Sequence, residues 1–162
     1  MIQIFVTGGT IDKQYDTYSG ELNFPQSYID ELICEANCSL PISIEILMQK
    51  DSLQINDQDR ARIDQACLKT AANCIVITHG TDTMVETALS LKRHAPLCEK
   101  TIILTGAMRP FKLGHSDASF NLGSALMAAQ LAQPGIWIAM NGQLFSANQV
   151  TKNLTLGQFE AI

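Results

Sequence analysis

Basic runs, long apolar runs and paired cysteines are all missing from this sequence, and each absence narrows what the chain can be. No stretch concentrates lysine or arginine, and the 162 residues carry a formal net charge of −5. Neither nucleic acid nor an anionic membrane surface is therefore the expected partner. No apolar run approaches the roughly 20 residues that a membrane-spanning helix needs. The N-terminus lacks the charged, apolar and small-residue succession of a secretory signal, because Met1 leads straight into a strand-like run. A cytoplasmic protein is expected.

The cysteines are five, Cys34, Cys38, Cys67, Cys74 and Cys98. An odd count without tight spacing fits reduced, mostly buried thiols rather than a disulfide framework. The three histidines, His79, His94 and His115, are scattered, so no metal site is expected. The glycine pattern of Thr7-Gly8-Gly9-Thr10 lacks the G-x-G-x-x-G spacing of a dinucleotide fingerprint. The expectation is a chain without metal or organic cofactor.

What is present is the material of a core: 46% hydrophobic and 17% charged residues, enough for one ordinary globular domain. Short β-rich apolar runs occupy Ile2–Val6, Ile42–Met48, Cys74–Thr78, Thr101–Leu104 and Ile136–Met140. Most are continuously apolar, as strands buried on both faces are. Between them fall stripes at helical spacing: Tyr28, Leu32 and Ile33; Ile63, Ala66, Cys67 and Ala71; Met84, Ala88 and Leu91; Leu122, Ala125, Leu126 and Ala129. Alternating strand and helix predict an α/β fold: a three-layer, doubly wound, flavodoxin-like, mainly parallel sheet with helices on both faces. Such sheets bind ligands beyond the carboxyl ends of their strands, so the polar clusters at strand ends are the places to look.

There are four. Thr7-Gly8-Gly9-Thr10 is followed by a polar stretch through Asp12, Tyr15 and Tyr18, read as a long loop, either a binding lid or a plain turn. Lys50-Asp51-Ser52 follows the second strand and either contacts a ligand or caps the helix starting near Asn56. Thr78-His79-Gly80-Thr81-Asp82-Thr83 runs from a strand into a helix. There Thr81 and Asp82 either cap the helix or clamp a ligand at its N-terminus. Thr105-Gly106-Ala107-Met108-Arg109-Pro110 closes the set, with Arg109 either a carboxylate ligand or a pin for its own loop. Beyond the last strand, Lys152 is either a solvated lysine or a base for a nearby threonine.

As a set these segments resemble the N-terminal domain of the bacterial-type asparaginase/glutaminase family. The carrying motifs are TGGTID at 7–12, DS at 51–52, THGTDTMVETA at 78–88 and TGAMRP at 105–110. Ser116-Asp117, Phe120-Asn121-Leu122 and Val150-Thr151-Lys152 add to them. The resemblance runs from Ile4 to about Thr155. It implies an amidohydrolase that cleaves the side-chain amide of L-asparagine, often glutamine too, to the acid and ammonia. By matching motif, Thr10 corresponds to the family's first threonine nucleophile and Thr81 to the second catalytic threonine, accompanied by Asp82 and Lys152. Ser52 and Asp82 match residues that hold the substrate's α-carboxylate and α-ammonium. Asp51, Gly9, Gly80 and the Ala107 turn line the same place, and backbone N–H groups at Gly9-Thr10 or at Thr81 supply an oxyanion hole. The family's loop tyrosine corresponds to Tyr15 or Tyr18, with Tyr15 preferred.

Family members continue into a second domain, whose acidic residue completes a neighbouring subunit's site. Here residues 1–162 are expected to form a single asparaginase N-terminal-type domain without the C-terminal one, closing its site as a homodimer. A small amino-acid amide is the implied partner. Two other readings are a non-catalytic aspartate/asparagine-binding module and an ammonia-supplying amidotransferase subunit.

Overall fold

A computed structural model describes residues 1–162. The strands are β1 (Ile2–Gly8), β2 (Gln14–Tyr15), β3 (Leu22–Asn23), β4 (Ile42–Lys50), β5 (Cys74–Thr78), β6 (Thr101–Thr105), β7 (Gly135–Met140), β8 (Gln143–Ser146), β9 (Val150–Asn153) and β10 (Gln158–Ala161). The helices are α1 (Ile29–Glu35), α2 (Asp57–Lys69), α3 (Met84–Lys92) and α4 (Ala118–Leu131). A six-stranded sheet has the order β4-β1-β5-β6-β7-β8. Its first five strands are mutually parallel and β8 is antiparallel to β7. Two-stranded ribbons, β2–β3 and β9–β10, stand apart.

The period of two along each strand divides the core. Phe5, Ile75, Ile77, Ile102, Leu104 and Ile138 pack one face against Ile63 and Cys67 of α2 and Met84, Ala88 and Leu91 of α3. Ile4, Val6, Val76, Ile103 and Ala139 pack the other face against Ile29 and Leu32 of α1 and Leu122, Ala125 and Ala129 of α4. Helices thus cover both faces, as the continuously apolar strands require. The five predicted strands and four predicted helices are all found, each strand reaching up to two residues further at an end.

Three details differ from expectation. Ala71 lies beyond the end of α2 and is exposed, and Ala72 is buried in its place. Only Cys67 among the cysteines is fully buried, and Cys34 is exposed. The polar stretch after Thr10 folds back as the β2–β3 hairpin instead of running as an open loop; Gln14 pairs with Asn23 and Tyr15 with Leu22. Two-residue polar strands carry too little periodicity to be seen in advance.

The chain leaves β1 towards β4 on one side and returns to β5 on the other. The order therefore reverses between β1 and β5, and the crevice outside the carboxyl ends at such a point is where a sheet of this kind takes its ligand. Gly8-Gly9-Thr10 and His79-Gly80-Thr81 stand at that point.

Candidate functional site

Backbone meets backbone at this switch point. Gly9 has φ +80, and a Cβ there would lie 2.3 Å from the Gly80 nitrogen. A Cβ on Gly80 would lie 2.5 Å from that of Ser52, one on Gly8 2.5 Å from the Lys50 nitrogen, and one on Gly106 2.3 Å from the His79 oxygen. Only glycine permits both these approaches and, at Gly8 and Gly9, the left-handed backbone. Four strand ends are thereby drawn together. Hydrogen bonds fasten them: Gly9 N–H donates to the Lys50 carbonyl at 2.9 Å, His79 N–H to the Thr105 carbonyl at 2.8 Å, and the Thr7 hydroxyl to the Thr78 carbonyl at 2.8 Å.

Thr10 opens a single 3-10 turn, Thr10–Asp12, immediately after the Gly9 contact. Its hydroxyl has no hydrogen-bond partner within the chain. Two flanking residues hold the turn. Asp12, fully buried, accepts from the Tyr28 amide at 2.9 Å and the Ser27 hydroxyl at 3.2 Å; its other oxygen has no partner. Burial pushes its carboxyl up to about 6, against the lowering effect of those two bonds. The Lys13 ammonium reaches Asp51 at 2.5 Å. That bond, more than any other cause, holds the Asp51 carboxyl below its usual value.

Asp51 also accepts from the Leu53 amide at 3.0 Å, so both its oxygens are engaged and it caps the turn Ser52–Gln54. The predicted alternative, capping of α2, falls instead to Asn56, which forms a capping box with Asp59. Ser52 points to the crevice: its hydroxyl accepts from the Asp82 amide at 3.3 Å and its carbonyl from the Thr83 hydroxyl at 2.8 Å.

Thr81 and Asp82 do not cap α3, whose N-cap is Thr83, without a side-chain bond. Both reach across to β9 instead. Lys152 Nζ lies 2.7 Å from Thr81 Oγ1 and 2.6 Å from Asp82 Oδ1. Thr81 is buried and Asp82 is exposed, so the trio runs from the protein interior outward. The lysine side chain is only 12% exposed, unlike the solvated lysine its sequence context also allowed. It reaches the crevice because β9 pairs antiparallel with β10, with Phe159 opposite Lys152 and buried in the core.

The fourth segment is held from α4. The Asp117 carboxylate accepts from the Met108 amide at 2.9 Å and the Arg109 amide at 3.1 Å, and Asn121 donates to the Gly106 carbonyl at 3.0 Å. Arg109 donates to the carbonyls of Gly114 at 2.7 Å and Leu113 at 3.3 Å; of its two predicted roles, the loop pin is the one realised here. Ala107 is fully buried.

Thr10, Thr81, Asp82, Lys152, Ser52, Asp51, Gly9, Gly80 and Ala107 thus gather at one sheet edge, on turns bonded to one another. Tyr15 makes no side-chain hydrogen bond to them: it lies half-exposed on β2 and lines a cleft of about 330 Å³ with Asp16 and Tyr18. A second cleft, of about 420 Å³, adjoins the Lys13–Asp51 pair and is floored by Leu22, Phe24 and Leu53. No cluster of His, Cys, Asp and Glu has the makings of a metal centre, and no helix is long and apolar enough to cross a membrane. Sequence reasoning assigned no role to Lys13, which ties the Thr10 turn to the Ser52 turn, nor to His79. His79 is fully buried between the Gly80 carbonyl and the Thr87 hydroxyl. The signal for His79 was its place between a buried strand and Gly80.

Comparison with known proteins gives a consistent picture. The family described as "Asparaginase, N-terminal" matches residues 1–161. The glutaminase-asparaginase of Acinetobacter glutaminasificans is 35% identical over 170 residues, which cover 96% of this chain and 50% of that protein. One component of the glutamyl-tRNA(Gln) amidotransferase of Methanococcus vannielii is 33% identical over 153 residues, covering 88% of this chain and 34% of that protein. The structure of the thermostable L-asparaginase from Thermococcus kodakarensis superposes with a TM-score of 0.84 at 30% identity, over 99% of this chain and 51% of that one. The chain spans about half the length of such relatives, or less.

Proposed function

This chain belongs to the asparaginase family, through its N-terminal domain, and from that premise we propose that it is an amidohydrolase acting on the side-chain amide of L-asparagine or a closely related small amide. One observation carries the proposal. Lys152 stands within 2.7 Å of the Thr81 hydroxyl and 2.6 Å of the Asp82 carboxylate, at the crevice where a parallel sheet reverses its order.

The chemistry follows from those groups. An amide carbonyl is a poor electrophile, so hydrolysis needs an activated nucleophile and support for the oxyanion. Thr10 has a hydroxyl uncommitted within the chain and serves as the first nucleophile. Thr81, Lys152 and Asp82 form a relay in which the lysine, as the free amine, takes a proton from the threonine and the carboxylate orients it. This divides the labour of a serine–histidine–aspartate triad among other side chains. Ser52 and Asp82 hold the α-carboxylate and α-ammonium of the amino acid, respectively, and Asp51 fixes the Ser52 turn. Gly9, Gly80 and Ala107 keep the backbone close enough to frame the amide. Tyr15 takes no step from its half-exposed place on the hairpin, and neither metal nor organic cofactor takes part.

The residues 1–162 act as one asparaginase N-terminal-type domain in the cytoplasm, and a second copy of the chain covers the exposed side of Asp82. The test is ammonia release from L-asparagine and L-glutamine. Wild type turns over, and Thr10→Ala and Thr81→Val each lose about 10³-fold or more in kcat. Equal release by all three sinks the hydrolase. Calorimetric binding of L-aspartate without turnover marks a binding module instead. The likeness to an amidotransferase component favours one second reading, an ammonia-supplying subunit, whose signature is ammonia release that rises when a partner synthetase is added.

A further inference from the structure

The imidazole of His79 belongs to no step of the proposed reaction, yet it is wholly buried and placed one residue before the Gly80-Thr81 pair. Nδ1 lies 2.7 Å from the Gly80 carbonyl oxygen and Nε2 lies 2.9 Å from Thr87 Oγ1 on α3. A carbonyl can only accept, so Nδ1 carries the hydrogen and donates it, and Nε2 accepts from the Thr87 hydroxyl. Burial keeps the ring neutral, its pKa pushed down to about 4, which is the state this double bonding needs.

The consequence lies in the next peptide unit. Across a trans peptide the C=O and the following N–H point in opposite directions. A Gly80 carbonyl held against His79 therefore turns the Thr81 N–H away from the ring. That N–H makes no hydrogen bond within the chain. It sits on the residue whose hydroxyl meets Lys152. Gly80 has no Cβ to restrict its own peptide, and the bond from Nδ1 is the one hydrogen bond that holds its carbonyl.

We infer that His79 is a positioning residue. It locks the Gly80–Thr81 peptide so that the Thr81 N–H is presented to the oxyanion of the amide as it is attacked. The inference rests on the hydrolase reading of the same site, but its test does not need turnover. In side-chain reach, asparagine Nδ2 replaces Nδ1 of histidine, and glutamine Nε2 replaces Nε2. His79→Asn keeps the donor to Gly80, whereas His79→Gln keeps only the partner of Thr87 and loses the donor to Gly80. With an amide substrate, His79→Asn is expected to hold kcat within a few-fold, and His79→Gln to lose about 10²-fold in kcat with little change in KM, the loss typical of a missing oxyanion donor. A loss shared equally by the two, or one that appears in KM, overturns the inference.

Nitrogen NMR of wild type gives the independent readout: ¹⁵N shifts of a neutral ring protonated at Nδ1, and a Thr81 amide resonance that moves on adding L-aspartate. A ring protonated at Nε2, or a Thr81 amide indifferent to L-aspartate, overturns it even if the variants fail to fold. Wild type that releases no ammonia while showing both NMR signatures overturns the hydrolase reading, and the oxyanion role with it, and leaves only the lock on the Gly80–Thr81 peptide standing.

Discussion

Lys152 and Thr81, 71 residues apart in sequence, are joined by a 2.7 Å hydrogen bond between Nζ and Oγ1. The bond crosses from a short ribbon at the end of the chain to a turn at the middle of the sheet. It depends on the β9–β10 hairpin being seated by Phe159 in the core. That makes the relay sensitive both to chemistry and to the docking of one small ribbon.

Replacement of the lysine separates proton transfer from charge. Lys152→Met is expected to cut kcat for asparagine hydrolysis by about 10²–10⁴-fold, the usual contribution of a positioned acid or base. Lys152→Arg supplies a fixed charge and a donor to Asp82, but a guanidinium does not release its proton. It should recover less than about a tenth of wild-type kcat, while thermal unfolding stays near wild type. Full recovery by arginine would remove the base role.

The buried Asp12 gives a pH signature in stability. Its folded pKa, about 6, lies above the unfolded value of 3.8, so the native state binds the extra proton between those values. Stability from this group is highest below about pH 4 and falls as pH rises towards 6. Above pH 6 the cost is on the order of 2–3 kcal/mol. Asp12→Asn should flatten this segment of the difference curve in urea unfolding from pH 4 to 7. A variant that tracks wild type in parallel across that range contradicts the assignment.

The Lys13–Asp51 pair has the opposite sign. Its Asp51 carboxyl is lowered, so the stabilisation is present above about pH 4 and disappears as acid protonates it. Both side chains retain some solvent, and the pair contributes about 1 kcal/mol. Asp51→Asn should cost that much at pH 7 and progressively less as pH falls below 3.8 through the lowered folded value, and Lys13→Met should match it. Unequal losses at pH 7 would show that the Leu53 cap, not the ion pair, dominates.

Gly9 tests the close approach. In Gly9→Ala the new methyl meets the Gly80 backbone at 2.3 Å from a positive-φ residue. A loss of about 2–4 kcal/mol is expected, read as a lowered denaturant midpoint, together with loss of turnover because the Thr10 turn moves. An unchanged midpoint would mean that the two turns are not in contact in solution.

Most of the scaffold was legible because strand and helix periods are local. Ile75-Val76-Ile77 and Met84, Ala88 and Leu91 announce a buried strand and the helix behind it within a few residues. The crevice was legible for the same reason: strand ends are where apolar runs stop. What was hidden depends on distant pairings. Nothing in Gln149-Val150-Thr151-Lys152 says that Phe159 will seat the ribbon and aim the lysine. The choice between capping and reaching across, at Asp82, is made by Ser52 and Lys152 rather than by neighbours. Lys13 was passed over because its partner lies 38 residues away. Tyr15 against Tyr18 was open in the sequence, and both stand exposed on the hairpin.

At Gly8, Gly9, Gly80 and Gly106 the four turns meet with no side chain between them. An alanine scan, which elsewhere subtracts atoms, adds them here. Truncation maps of the crevice will therefore register the groups hung on this framework and record the framework itself only as clashes. Variation that reshapes the crevice while keeping the fold is confined to what surrounds the glycines.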